Sequence, residues 1–163
     1  MEQVILGKNT MEKLSSQETA LLRELQRNAK FDINELTERL HMSRTSVYER
    51  IKRLENEGYI KEYVAILDQE KVGLNFTVIV NVSLISQQKV HVDRFLEQIT
   101  ALDEVMDAYV TGGIFDIVLK VVVSSPEAYN AFASGKLSAI PEVSKIQSSF
   151  VMRYIKQTTA LPF

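Results

Sequence analysis

The chain has 163 residues, of which 45% are hydrophobic and 25% charged, and its formal net charge is −2. These values are ordinary for a globular protein of one or two small domains. The absence of cysteine excludes disulfides and thiolate metal sites and favours a cytoplasmic location. The two histidines are too few for a histidine metal cluster, so we expect no metal and no cofactor. No stretch reaches the ~18 apolar residues of a membrane helix, and the first residues lack the apolar run of a secretory leader, so we expect no membrane partner.

Helical periodicity begins at Ser15, after a segment at 1–14 that shows no clear period and is expected to form an N-terminal arm. Either Ser15 or Ser16 is expected to cap the first helix, and Ser15 with Glu18 would have the spacing of a capping box. Asp32 with Glu35 has the same spacing and predicts the start of the second helix. A third helix is expected to follow a serine cap at position 43 and to end at the glycine at position 58. Each segment is apolar on one side only, so we expect the three stripes to pack against one another. Their members are Leu21, Leu22 and Leu25; Ile33, Leu36 and Leu40; Val47, Ile51 and Leu54.

The third helical segment lies in a basic part of an acidic chain. Residues 39–61 contain six cations and three anions, a net charge of +3, which leaves −5 for the remainder. Such an island indicates a polyanion partner at one surface. A solvated helix with glutamate–lysine pairs is the alternative that charge alone leaves open.

The corner His41-Met42-Ser43 separates two of these helices and predicts a helix-turn-helix unit, in which the second helix reads double-stranded DNA. An ordinary helical hairpin is the alternative, but the side of the segment opposite Val47 carries donors, hydroxyls and a tyrosine, which suit a major groove. Phosphate contacts are expected from Arg39, Arg44, Arg50 and Lys61. Base discrimination is expected from Thr45, Ser46, Tyr48, Lys52 and Arg53, and Glu49 lies on the same predicted face.

A short strand resembling a small wing is expected from Tyr59, followed by an extended linker that Gly73 closes. Beyond it, helical and alternating patterns follow one another in the order β-α-β-β-α-β, the ferredoxin-like arrangement of two helices on one face of a four-stranded sheet. We therefore predict an α+β protein with a winged helix-turn-helix domain, a linker strand and a ferredoxin-like βαββαβ domain. The expected division is an arm at 1–14, a DNA-binding domain at 15–60, a linker at 61–73, an effector-binding and oligomerisation domain at 74–156, and a tail at 157–163.

The strand and helix signals of the second domain are local. Alternation predicts a first strand with one apolar face, Gly112-Gly113 predicts a hairpin turn, and Ser125 followed by Pro126 predicts a helix start. The sheet face away from the helices needs a cover, which we expect a second copy of the chain to supply. Depending on strand phase, that face is expected to hold Ile79, Tyr109, Val118 and Phe150.

The stretch LLRELQRNAKFDINELTERLHMSRTSVYERIKRLENEGYIKEYVAILD resembles the N-terminal half of the Lrp/AsnC (leucine-responsive, or feast/famine) transcription regulators. VTGGIFDIVLKV and IPEVSKIQSSFV resemble their amino-acid-sensing domain, so the resemblance runs from about Leu14 to Lys156. It implies a homodimer that assembles further, as a tetramer or octamer of dimers, binds an amino acid between sensing domains, and regulates by wrapping or bridging operator sites. The sequence departs from the family pattern at His41, often a glycine, at Thr37, usually a small residue, and at Ser148, usually a threonine.

Thr111, Gly112, Gly113, Asp116 and Ser148 form the candidate effector site. Asp116 is expected to accept the ammonium group of an amino acid, the N–H groups of the two glycines to hold its carboxylate, and Ser148 to add a hydroxyl from a neighbouring strand. The simpler alternative is structural: the glycines supply positive φ angles and Asp116 caps the turn.

Two other classes of protein deserve comparison. Some tetrapyrrole (sirohaem-type) decarboxylases resemble the same two-domain plan, but their second half would need histidines or other basic groups, and this one offers His91 and scattered cations. We therefore expect no enzyme. An assembly module without DNA binding is disfavoured by the basic helix.

Overall fold

The computed structural model describes residues 14–163, so the predicted arm, apart from Leu14, lies outside the described residues. The chain forms two compact units: residues up to Ala65 together with Lys156–Phe163, and Ile66–Ile155. Within the described ranges, no helix combines the length and the apolar character needed to cross a membrane.

The first unit contains three helices, α1 (Ser16–Arg27), α2 (Ile33–Leu40) and α3 (Arg44–Asn56). The predicted stripes form its core, which includes Leu21, Leu36, Val47 and Leu54. Burial of these stripes holds the short helices together, because helices of this length are marginal alone in water.

Helix caps mark the three starts. Ser15 and Glu18 bond reciprocally, which confirms the first capping box. The Asp32 carboxylate accepts a hydrogen bond of 2.7 Å from the N–H of Asn34, whereas Glu35 lies 3.9 Å from Arg39. The predicted second capping box is therefore wrong. Asp32 accepts from the N–H of the second helical residue, and Glu35 forms an ion pair with Arg39 instead of bonding to the backbone of Asp32. The Ser43 hydroxyl caps α3 as predicted.

The corner between α2 and α3 closes at His41, which has φ 50° and ψ 45° in the left-handed region. The N–H of Met42 donates to the carbonyl of Thr37 at 3.1 Å, the six-to-one bond of a Schellman turn. His41 thus holds a conformation that normally selects glycine.

The chain from Glu57 to Asn75 contains no strand, so the predicted wing strand is wrong. Gly58 ends the α3 region with φ 76°, and residues 61–68 have no regular secondary structure. An extended segment becomes a strand only when another segment pairs with its backbone, and the described chain supplies none here.

The C-terminal residues Lys156–Phe163 belong to the first unit. The Gln26 side-chain amide forms hydrogen bonds with both backbone groups of Leu161. Its oxygen accepts from the N–H at 2.6 Å, and its nitrogen donates to the carbonyl at 3.4 Å. Arg23 Nε donates to the carbonyl of Phe163 at 2.6 Å. The tail is therefore held on α1.

The second unit is a four-stranded antiparallel sheet with the order β2-β3-β1-β4, which confirms the ferredoxin-like prediction. Its strands are β1 (Phe76–Leu84), β2 (Val105–Val110), β3 (Ile117–Val123) and β4 (Val143–Phe150), and its helices are α4 (Lys89–Thr100) and α5 (Pro126–Phe132), the latter continued by a π-helical turn at Ala133–Leu137. Alternating residues of β1 and β3 are buried with residues of α4 and α5. As predicted, Ser125 caps α5 and Pro126 occupies its first turn.

The other sheet face carries Ile79, Val118 and Tyr109, as strand pairing shows. Phe150 was expected there and is not, because β4 pairs it with Val78 of the buried face. Its ring packs 5.4 Å from that of Phe76 and 5.9 Å from that of Tyr129.

Candidate nucleic-acid interface and effector site

One side of α3 is open to solvent while the opposite side is the core of the first unit. The serine cap and the corner at His41 fix where this helix begins. The exposed side displays a guanidinium, a hydroxyl, a phenol, a carboxylate and an ammonium group, and Tyr48 is 56% exposed. We call this set the outward face of α3; its members are Arg44, Thr45, Tyr48, Glu49 and Lys52. A protruding helix with these groups has the shape and the hydrogen-bonding capacity to enter a major groove.

Of the cations expected to contact phosphate, Arg44 belongs to this face, Arg39 lies on α2, and Lys61 follows the end of α3. Arg44 Nη2 donates to the Asn34 side chain at 3.0 Å, and Arg39 lies 3.1 Å from Glu24, while Lys61 is exposed. The pair of Arg39 is solvent-exposed on the arginine side, so it is weak. A phosphate can replace that partner at little cost.

Ser46 and Arg53 lie beside Arg50, on a different side of α3 from the one predicted for these two residues. Arg53 Nη1 is 2.6 Å from Glu18 Oε1, and its Nε is 2.7 Å from Glu57 Oε1. Arg50 donates to the Ser46 hydroxyl at 3.3 Å. This stripe faces α1, which corrects the prediction that Ser46 and Arg53 belong to the outward face, while Arg50 was expected to contact phosphate. The physical reason is a buried carboxylate that the arginines neutralise.

Glu18 is that carboxylate, with 1% of its surface exposed. The hydroxyl and the N–H of Ser15 bond to it at 2.6 and 2.9 Å. These hydrogen bonds, and then the charges of Arg53 and Arg50, hold the pKa of Glu18 below its ordinary value against the opposing effect of burial. The sequence predicts Glu18 only as part of a helix cap, because nothing local to it signals a partner 35 residues away.

An open groove of about 600 Å³ runs beside the outward face. Its lining includes Phe31, Ile51 and Tyr63, together with Tyr48 and Lys52 of the outward face. The Tyr63 hydroxyl donates to Glu55 at 2.9 Å. Burial, and then the carboxylate of Glu55, raise the pKa of Tyr63 to about 12, so this phenol stays protonated at neutral pH.

The predicted effector turn joins β2 to β3 and lies against the end of β1. Thr111 and Asp116 close it through a backbone bond of 2.8 Å. The Asp116 carboxylate accepts from the N–H of Leu84 at 2.8 Å and from the Gln87 amide at 2.7 Å. Two carboxylate oxygens offer about four acceptor sites, so Asp116 retains capacity for an ammonium group.

Gly112 and Gly113 are exposed within this turn. Neither has a positive φ angle, so the structural alternative, in which the glycines supply one, is wrong. A Cβ added at either position meets nothing within 4 Å. Neither backbone conformation nor packing within the chain therefore requires glycine here.

Ser148 does not join this turn within one chain. It pairs with Val80, four residues along β1 from Leu84, which is roughly 13 Å at the rise of a strand. Its hydroxyl bonds to that of Tyr129 on the helix-covered side. The expected contribution of Ser148 from a neighbouring strand is thus corrected by the register of β4.

Each half of the chain matches a known family of domains. Residues 14–61 match a winged helix-turn-helix DNA-binding domain, and residues 77–161 match the Lrp/AsnC ligand binding domain. The DNA-binding transcriptional activator DecR of Escherichia coli is 32% identical over 142 residues, covering 87% of this chain and 93% of that protein. The Bkd operon transcriptional regulator of Pseudomonas aeruginosa is 34% identical over 152 residues, covering 93% and 99%.

Solved structures show the same similarity. A transcriptional regulator of Neisseria meningitidis, determined as a complex with L-methionine, superposes with a TM-score of 0.88 at 30% identity, covering 92% of this chain and 97% of that one. An AsnC family regulator from Agrobacterium tumefaciens gives a TM-score of 0.87 at 33% identity, with coverage of 91% and 97%.

Fold, exposed helix and matched domains together define a DNA-binding regulator with a ligand-binding domain. The chain belongs to the Lrp/AsnC family of transcriptional regulators. Its named relatives are regulators, which favours this function over a tetrapyrrole decarboxylase.

Proposed function

We propose that this regulator works in the cytoplasm as a homodimer, binds operator DNA through the outward face of α3, and is controlled by an amino acid held at the turn between β2 and β3. The observation that carries the proposal is the outward face itself. Its polar side chains lie together on the second helix of a capped helix-turn-helix unit, opposite a closed core.

The cations around α3 have different roles in this proposal. Arg44 at the start of α3, Arg39 on α2 and Lys61 beyond the end of α3 bind phosphates, which fixes the register of the helix and makes affinity depend on salt. Thr45, Tyr48, Glu49 and Lys52 lie along the helix and meet base edges. Lysine reaches guanine acceptors, and glutamate accepts from the amino group of cytosine.

Lys52→Ala tests the interface. Loss of one good base contact costs ~1–3 kcal/mol, so affinity for an operator selected from random-sequence duplexes should fall by roughly five- to hundredfold. The matched control is Lys71→Ala, an exposed lysine of the second unit that removes the same charge. Fluorescence anisotropy should show that only Lys52→Ala weakens operator binding. Equal effects of the two variants would mean that net charge, rather than this face, governs binding.

The effector proposal is supported by the two glycines that the fold does not need. The open space above Gly112 and Gly113 lets a ligand carboxylate approach their N–H groups closely, and Asp116 lies three residues further along the turn. The relative from Neisseria meningitidis was determined with L-methionine, which supports an amino acid as the class of ligand.

Gly112→Ala and Gly113→Ala separate effector binding from folding. Because neither glycine needs positive φ, alanine should leave stability unchanged or raise it by ~0.4–1 kcal/mol. Binding of the amino acid identified by calorimetry against all twenty should weaken, since a methyl group blocks the approach to the backbone. Normal effector binding in both variants would remove the turn from the site.

The homodimer is supported by the sheet face that the described chain leaves uncovered. Tyr109 on β2 is 55% exposed, and Ile79 and Val118 of the same face are only partly buried. Tyr109→Asp should reduce the mass seen by light scattering toward that of one 18.5 kDa chain, because a carboxylate at this face opposes burial. Val90→Asp at an exposed position of α4 is the control and should leave the mass unchanged; an unchanged mass for Tyr109→Asp would contradict this interface.

A further inference from the structure

The strongest feature not used by the proposed interface is the buried charge cluster between α1 and α3. Glu18 lies at its centre, with Oε2 satisfied by Ser15 and Oε1 placed 2.6 Å from Arg53 and 3.8 Å from Arg50. A buried carboxylate is tolerated only when it is paired and hydrogen-bonded. The first helix thus holds the DNA-reading helix through a charge as well as through apolar contacts.

Both arginines are held on more than one side. Arg53 presents its fork to Glu57, with Nε at 2.7 Å and Nη2 at 3.3 Å from the two carboxylate oxygens, while its Nη1 reaches Glu18. Arg50 donates to Gln17 at 2.7 Å. Movement of these guanidinium groups to DNA would leave Glu18 buried with one oxygen unpaired.

We propose that Glu18 is a positioning residue for specific DNA binding. Through Arg53 and Arg50 it fixes the rotation of α3 about its axis, and it withholds both arginines from the DNA backbone. The inference rests on the proposed DNA interface and adds the residue that sets the orientation of α3 within it. Arg53 accordingly contributes to specificity without touching DNA.

This role has a signature that a phosphate contact does not share. Each phosphate contact contributes a slope of about −0.9 to the dependence of log affinity on log salt concentration. If Arg53 only positions α3, Arg53→Gln keeps the slope of the wild type. If Arg53 binds a phosphate, the slope becomes shallower by about that amount.

Arg53→Lys sharpens the contrast. A lysine replaces a phosphate-binding arginine tolerably as a point charge, but it cannot reproduce a fork that reaches two carboxylates. Positioning therefore predicts that Arg53→Lys loses specific affinity by roughly tenfold, the scale of one misplaced base contact. Retention of wild-type affinity by Arg53→Lys, together with a shallower slope for Arg53→Gln, would overturn the proposal.

Glu18→Gln tests the carboxylate itself, since glutamine keeps the size and loses the charge. The ratio of affinities for the selected operator and for a random-sequence duplex should fall by roughly tenfold. Release of the arginines should at the same time tighten binding to the random duplex. An unchanged ratio in a folded variant would overturn the proposal.

Measurement at low temperature distinguishes a positioning role of Glu18 from a role in stability alone. Binding is measured well below the unfolding transition of each variant, with far-UV circular dichroism confirming full helicity, so lost stability alone leaves the affinity ratio unchanged. Should Glu18→Gln not fold, Arg53→Lys decides the question. Failure of the interface proposal looks different: Lys52→Ala would then bind like the wild type, whatever the Arg53 variants do.

Discussion

The residue in the left-handed region between α2 and α3 gives a prediction in which a substitution increases stability, whereas most substitutions decrease it. His41 has φ 50°, a region that costs an L-residue about 1–2 kcal/mol, although histidine is among the types found there more often. Glycine removes that cost but adds roughly 0.5–1 kcal/mol of entropy in the unfolded chain. His41→Gly should therefore stabilise the first unit by about 1 kcal/mol, which is about 4–8 °C for a domain of this size.

Two variants make the test specific to backbone conformation. His41→Ala removes the imidazole but leaves a Cβ in the left-handed region, so it should bring no gain. Gly58→Ala places a Cβ at φ 76° where no atom lies within 4 Å, so it should cost about 1 kcal/mol through conformation alone.

Scanning calorimetry, together with hydrogen exchange of the amides in α2 and α3, assigns the change to the first unit of the full chain. The reasoning fails if His41→Gly is no more stable than His41→Ala. It also fails if Gly58→Ala brings no loss, since both results follow from the same conformational cost.

Three further outcomes follow from the structure. The stability that Glu18 contributes is present above its unfolded pKa of ~4.3 and is lost as pH falls through its lower folded pKa. The free energy of unfolding of Glu18→Gln should therefore fall less steeply than that of the wild type below about pH 5. The same pH dependence in both proteins would contradict the assignment. Phe95 is fully buried in the sheet–helix core, so Phe95→Ala should cost ~3–5 kcal/mol in urea denaturation, and a cost under about 1 kcal/mol would deny its burial. Tyr129→Phe and Ser148→Ala together should destabilise by about 1 kcal/mol less than the sum of their separate effects, as measured in a double-mutant cycle; additive effects would argue against the bond.

Features set by neighbouring residues were predictable. Ser15, Ser43 and Ser125 cap helices as their spacing indicated, because a cap involves a side chain and backbone groups two or three positions away. The period of β1 likewise follows from strand geometry alone. These local signals were enough for the order of elements and hence for the fold.

Features that depend on the pairing of residues far apart in the sequence were not predictable. The position of Phe150 depends on the register of β4 against β1, which includes an irregularity at Ser83/Leu84; a shift of one residue exchanges the faces of a strand. Ser148 was misplaced for the same reason. Arg53 looked outward on a helical projection, and only the carboxylate of Glu18, brought near by tertiary packing, turns it toward α1.

The way the tail is held by Gln26 bears on how such regulators can be recombined. The chain leaves its first unit at Ala65 and re-enters it at Lys156, so that unit is assembled from two separate stretches of the gene. A hybrid regulator that exchanged only the leading stretch would combine a foreign α1 with the native terminal peptide, and the new residue at position 26 would have to form both hydrogen bonds to Leu161. Exchange of the leading stretch and the final residues together would preserve the natural attachment.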